Sequence, residues 1–239
     1  MRFPEPLIKA TLLKRYKRFL ADVCLEDGTV STAHCPNPGS MIGNAEPGSD
    51  VWLSPARNPA RKLKYTWELI RVGDELVGVN TAHPNALVEE AIKTGQIPEL
   101  AGYESLRREV RYGENSRIDL LLEGAGTRPS CHVEVKNVNL KRAETAEFPD
   151  AVTARGAKHL RELTKIAQTG GRAVMFFLVQ RMDCDEVSIA GDIDPIYAKE
   201  FSAALTSGVE ALCYSCRLTT REIVVDRRLN LRIGTDLPA

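Results

Sequence analysis

The sequence predicts an α/β protein in two parts: a small β-barrel over residues 1–82, then a mixed-sheet α/β domain over residues 83–239. Short apolar-alternating runs divided by turn signals fill the first part. Helix and strand periods alternate through the second. The change of pattern falls at TAHPN (81–85).

Six runs read as strands before that point. They are LIKATLL (7–13), RFLADVCLE (18–26), TVSTAH (29–34), SDVWLS (49–54), KLKYTWELIRV (62–72) and ELVGVNT (75–81). Asp27-Gly28, Pro36-Asn37-Pro38-Gly39, Glu46-Pro47-Gly48 and Gly73-Asp74 separate them as turns. Five or six short strands in such a span suit a barrel of the OB type, and an SH3-like barrel fits the same pattern. In the second part NALVEEAIKTG (85–95) reads as a helix opened by Asn85 and closed by Gly95. SLRREVRYG (105–113), SRIDLLLEG (116–124) and SCHVEVKNV (130–138) read as consecutive strands. A helix follows over 151–168, with Asp150 as its cap and an apolar stripe of Val152, Gly156, Leu160, Leu163 and Ala167. RAVMFFLVQR (172–181) is apolar throughout and reads as a buried strand. IDPIYAKEFSAALTSG (193–208) is a third helix, with Pro195 in its first turn.

The 32 basic and 32 acidic side chains cancel, so any polyanion-binding surface must come from local clustering. The N-terminal run carries charges and lacks a signal-peptide core, and no stretch reaches the roughly 20 apolar residues of a membrane helix. A cytoplasmic protein with no membrane partner is expected, and a homo-oligomer is compatible with the sequence. The six cysteines then read as reduced thiols. Cys213 and Cys216 form a lone CxxC in a strand-like run, where residues three apart face opposite ways, so structural thiols are expected rather than zinc ligands.

The chemistry lies in two of the strands. Glu134 and Lys136, two residues apart, project from one strand face together with His132, while Val133 and Val135 point into the core. A carboxylate and a lysine on an otherwise apolar strand are costly to bury unless paired or used. Asp119 lies on the preceding strand, with fourteen residues between it and Glu134, enough for the chain to turn and return alongside. Asp119 and Glu134 then offer oxygen ligands to a hard cation, Mg2+ or Mn2+, and Lys136 faces a phosphate or orients a metal-activated water. Glu89, or its neighbour Glu90, on the upstream helix could complete the metal shell. This is the D…ExK pattern of PD-(D/E)xK nucleases. The competing reading is a surface salt bridge between neighbouring strands.

Five segments carry a resemblance to a known family: KRYKRFLADV (14–23), HCPNPGSM (34–41), SRIDLLL (116–122), HVEVKNV (132–138) and FPDAVTARGAKHLREL (148–163). Together they resemble the sugar fermentation stimulation protein family over nearly the whole chain. The resemblance implies an N-terminal OB-like domain, a C-terminal PD-(D/E)xK-like domain and DNA as partner. It places the triplet on Asp119, Glu134 and Lys136, with Ile118 where the superfamily motif has proline.

Basic clusters supply the expected DNA contacts. Lys14, Arg15, Lys17 and Arg18 surround Tyr16; Arg61, Lys62 and Lys64 precede Trp67, with Arg57 nearby. Strand alternation would set Lys62, Lys64 and Thr66 opposite Leu63, Tyr65 and Trp67, so the aromatics either stack on bases or fill the core. On the long helix Arg155 and Lys158, with His159, share a side that would grip phosphate, and an ordinary polar helix face is the alternative. HCPNPGSM reads as a structural turn, or as a loop through which His34, Asn37 and Ser40 approach the catalytic face. Three functions stay open: a metal-dependent deoxyribonuclease, a non-catalytic DNA-binding regulator of sugar-metabolism genes, and a scaffold in which the triplet is structural.

Overall fold

The computed structural model describes residues 1–58, 60–113 and 116–233. Six strands form the first part: β1 (Ile8–Tyr16), β2 (Leu20–Leu25), β3 (Val30–His34), β4 (Asp50–Pro55), β5 (Tyr65–Val72) and β6 (Glu75–Gly78). They are ordered β3-β2-β1-β4-β5-β6, and a parallel pairing of His34 with Thr66 joins β3 to β5. That pairing closes a five-stranded barrel of OB connectivity, with β6 as an added edge. Leu12, Val23, Ala33, Leu53, Trp67 and Ile70 fill its interior. Trp67 is fully buried and its indole N–H donates to the Leu69 carbonyl, so it belongs to the core and cannot stack on a base. Strand β5 begins at Tyr65, which leaves Lys62 and Lys64 on the approach to it rather than in alternation with the aromatics.

In the second part a six-stranded mixed sheet runs β15-β14-β12-β9-β8-β7. Its strands are β7 (Ser105–Tyr112), β8 (Ser116–Glu123), β9 (Cys131–Val138), β12 (Arg172–Val179), β14 (Glu210–Leu218) and β15 (Ile223–Arg228). β9 pairs antiparallel with β8 and parallel with β12. Helix α1 (Pro84–Lys93) packs on one face through Leu87, Val88 and Ala91, together with Trp52 and Leu69 of the barrel. Helices α2 (Ala154–Gln168) and α3 (Pro195–Thr206) cover the other through Leu160, Leu163, Tyr197 and Phe201. Cys213 packs in the second of these cores and Cys216 in the first. The two thiols therefore face opposite sides of the sheet, as alternation along a strand requires.

A second sheet was not legible in the sequence: β10 (Leu140–Arg142), β11 (Thr145–Phe148), β13 (Glu186–Ile189) and β16 (Asn230–Arg232), in the order β10-β11-β13-β16. These strands have three or four residues each, too few for a period to stand out.

Two helix caps differ from expectation. α1 starts one residue early because Pro84 takes the first helical position, which makes His83 the cap and leaves Asn85 within the first turn. α2 is capped by the Thr153 hydroxyl, which accepts the Gly156 N–H. Asp150 instead accepts the N–H of Met41 in the barrel's 36–41 loop. Where the two parts meet, the buried Glu68 carboxylate of β5 receives Ser54 at 2.6 Å, Asn80 at 2.7 Å and the His83 ring at 2.7 Å. This cluster pins the start of α1 to the barrel. Among the described residues no helix is long and apolar enough to cross a membrane.

Candidate metal centre

The β8–β9 ladder pairs Leu122 with Cys131, Leu121 with His132 and Leu120 with Val133, and then stops. One further step brings Asp119 across from Glu134. Here the Asp119 carboxylate replaces a backbone partner: its Oδ2 accepts the Val135 N–H at 2.8 Å, and its Oδ1 accepts the Asn85 amide at 2.8 Å. Asn85, expected to cap α1, thus fixes an acid of the site. Its amide also reaches Glu109 Oε1 at 3.4 Å. Glu109 stands on β7 between two pairs that flank Asp119, Arg108 with Leu120 and Val110 with Ile118, and holds φ at +53° within the strand.

Glu134 is almost fully buried on the sheet face under α2. Its Oε1 receives Lys136 Nζ at 2.6 Å and contacts His159 Nδ1. Arg155 Nε donates to the other ring nitrogen, Nε2, at 3.3 Å, so His159 bears its own proton on Nδ1, toward Glu134. Glu134 Oε2 is buried and, among the described residues, has no hydrogen-bond partner. Burial alone would push the Glu134 carboxyl up, but Lys136 and His159 outweigh it and hold the group below its ordinary range. Asp119 behaves oppositely. Burial and the Glu134 charge push it up to about 6, against the smaller effect of the Val135 N–H. The same acidic field, added to burial, raises the phenols of Tyr112 and Tyr197.

This donor set suits a hard cation. A half-buried carboxylate, Asp119, and a buried one, Glu134, which has an orphaned oxygen, stand across adjacent strands and line a cavity of about 500 Å3. Among the described residues no three or more His, Cys, Asp or Glu side chains are grouped as metal ligands. Glu89 is not brought to the pair: its carboxylate is held by Lys93 at 2.6 Å and Arg108 at 3.6 Å. Glu90 pairs with the N-terminal ammonium at 2.9 Å. Both acids lie on the part of α1 beyond Asn85, and the basic groups beside them hold their carboxylates there.

The expected DNA-contact residues divide. Arg155 is exposed and lines the cavity; Lys158, 3.8 Å from Glu162, lines the groove next to it. Lys17 and Arg18 are exposed in the β1–β2 turn. Lys14 is exposed and lies 3.4 Å from Asp22. Lys62 and Lys64 are exposed, while Arg61 donates to the Thr66 hydroxyl. Arg15 turns inward. Its guanidinium donates to the carbonyls of Asn37, Gly39 and Ser40 and thereby shapes the 36–41 loop.

Comparison with known proteins matches residues 13–79 to the SfsA N-terminal OB domain and residues 82–222 to the sugar fermentation stimulation protein RE domain. The chain belongs to the sugar fermentation stimulation protein family. It is 64% identical to the homolog of Paramagnetospirillum magneticum over 91% of this chain and 92% of that one. It is 55% identical to the Geobacter sulfurreducens homolog over 98% of this chain and the whole of that one. Among solved structures it is similar to Pyrococcus furiosus SfsA in complex with Ca2+, with a TM-score of 0.88 and 27% identity over 98% of both chains. In this SfsA-family chain the HCPNPGSM segment is both a rigid turn and a wall of the cavity, lined by Asn37, Pro38 and Gly39. In the sequence those roles stood as alternatives, and nothing in it marked Asn85 as a positioning group.

Proposed function

We propose that this SfsA-family chain is a metal-dependent phosphodiester hydrolase acting on DNA, with Asp119 and Glu134 as the Mg2+ or Mn2+ ligands. The observation that carries this reading is Glu134 Oε2, an orphaned oxygen on a buried, ionised carboxylate beside Asp119. Buried polar atoms are nearly always partnered, so such an exception calls for an occupant. The Ca2+ complex of the Pyrococcus furiosus relative supports a cation in this fold.

The chain's own groups divide the work. His159 and the Val135 N–H fix the two carboxylates, so that little reorganisation is needed when a cation binds. Lys136 keeps Glu134 ionised and places an ammonium where a phosphate's negative charge would rest. Arg155, exposed at the rim, holds the neighbouring phosphate in line. When bound, the metal supplies Lewis-acid polarisation of the phosphate and lowers the pKa of its water.

The test is incubation of linear, supercoiled and single-stranded DNA with wild type and Glu134→Gln in Mn2+ and in EDTA. Cleavage by wild type in Mn2+ only, abolished in the variant, supports the reading. Undiminished cleavage by Glu134→Gln defeats it. DNA retardation without cleavage favours instead a DNA-binding regulator that keeps the nuclease fold, for which exposed Lys17, Arg18 and Lys62 provide phosphate contacts.

A further inference from the structure

The cavity above Glu134 is walled on two sides. On the barrel side stand Asn37, Pro38 and Gly39; on the other the chain from Phe148 to Thr153. The walls are joined. Met41 N donates to Asp150 Oδ2 at 2.9 Å, and Ser40 Oγ donates to the Asp150 carbonyl. Gly39 lies so close that a Cβ there would stand 2.5 Å from Asp150 Oδ2. From behind, Arg15 holds three carbonyls of the loop, and Asn44 ties it to the Asn139 carbonyl at 2.9 Å. This junction is cross-braced by side chains from both parts of the chain.

Away from the junction the cavity continues. Arg155 and His159 are shared with a groove lined by Ser116, Arg117 and Lys158, and Ser116 and Arg117 are shared in turn with a depression reaching Arg111. A basic track therefore leads to the carboxylates from one direction and stops at the barrel. Beside the junction Asn139, which lines the cavity and whose carbonyl Asn44 holds, is 4% exposed, and its amide nitrogen has no hydrogen-bond partner among the described residues. A buried amide donor without a partner favours a ligand that accepts hydrogen bonds.

We propose that the site takes the terminus of a single nucleic-acid strand. The phosphates follow Arg111, Arg117, Lys158 and Arg155, and the terminal nucleotide occupies the dead end beside Asn139. The cavity, of about 500 Å3, has the volume of a small-molecule pocket, enough for a nucleotide. A strand passing through in both directions meets the Ser40–Asp150 junction. This inference rests on the hydrolase reading for its chemistry, while its geometry concerns binding alone.

The test compares a linear single-stranded oligonucleotide with the same sequence closed into a circle. Binding is read by fluorescence anisotropy in Ca2+, and cleavage by gel in Mn2+. The linear strand is expected to bind about tenfold more tightly or better, and to be shortened from an end while the circle stays intact. Two independent changes, Ser40→Ala with Asp150→Ala, and Gly39→Ala, open or displace the junction. Each is expected to narrow the linear-over-circle preference, with folding checked by circular dichroism. Equal binding of circle and linear strand, or nicking of the circle at a rate comparable to linear cleavage, overturns the proposal. A binding preference without any Mn2+-dependent cleavage supports the dead-end site and defeats the hydrolase reading. No DNA binding in any form overturns both.

Discussion

At Glu134 two opposing demands meet: a carboxylate that is to hold a cation must be charged, yet this one is almost fully buried. Lys136 and His159 resolve the conflict on Oε1 and leave Oε2 available. Glu134→Gln is therefore expected to lose Mn2+ binding by calorimetry and to lower cleavage about 100-fold or more, as removal of metal-borne charge stabilisation of several kcal/mol requires. His159→Ala keeps the ligand but loses its brace, so Mn2+ affinity should fall by about 10- to 100-fold, the usual effect of an outer partner of a ligand. A Mn2+ titration of both variants checks the order; equal losses would place His159 among the ligands. Glu134 and Lys136 were legible together because side chains two apart on a strand share a face, whereas Asp119 joins them only through the β8–β9 register. The bracing roles of Asn85 and His159 were not legible: His159, expected to grip phosphate beside Arg155 and Lys158, is instead buried against Glu134. Their roles depend on where α1 and α2 lie over the sheet, and a helix residue's sequence gives its face but not its partner. Pro84 was the missed signal: proline at the first helical position moves the cap to His83 and points Asn85 elsewhere.

Among the elements, the 36–41 loop shows how a turn motif becomes part of a site. Its prolines and glycine marked a rigid turn, but Arg15 was read as a phosphate contact because a basic run looks alike whether it faces solvent or a neighbour's carbonyls. Arg15→Ala should destabilise the protein by about 2 kcal/mol, the value of charge-assisted hydrogen bonds to partly buried acceptors. Urea denaturation measures it; an unchanged midpoint would mean that the loop holds its shape without Arg15. A second contact ties β10 to the segment before β13. Asp183 accepts Arg181 at 2.6 Å and Lys141 at 3.0 Å, and although burial opposes them, these cations bring its pKa to about 2. Because the folded value lies below the ordinary one, the cluster of three stabilises fully above about pH 4, and this is lost as pH falls toward 2. Asp183→Asn should then cost on the order of 2 kcal/mol near neutrality and progressively less in acid. A deficit that does not shrink in acid would assign the effect to packing around Arg181.

Over the whole molecule, barrel and sheet are not beads on a linker. Trp52 and Leu69 of the barrel share one core with Leu87 and Val88 of α1 and with Phe176 and Leu178 of β12. Glu68 pins the junction, and the 36–41 loop pins it again beside the cavity. The sequence showed the change of pattern at 81–85 and so suggested two units; it could not show that their apolar surfaces merge. Unfolding should accordingly be a single transition, with tryptophan fluorescence and far-UV circular dichroism coincident. Leu69→Ala should shift both together by about 2–5 kcal/mol, as a cavity in a shared core does. Separate transitions would contradict this.

Joint binding of a divalent cation by Asp119 and Glu134, where the basic track meets the barrel, is open to direct observation. Anomalous diffraction from crystals soaked in Mn2+ tests it most directly. One strong peak is expected between the Asp119 carboxylate and Glu134 Oε2, absent from Glu134→Gln crystals treated alike. No peak at saturating Mn2+, or a peak that survives in the variant, would contradict it.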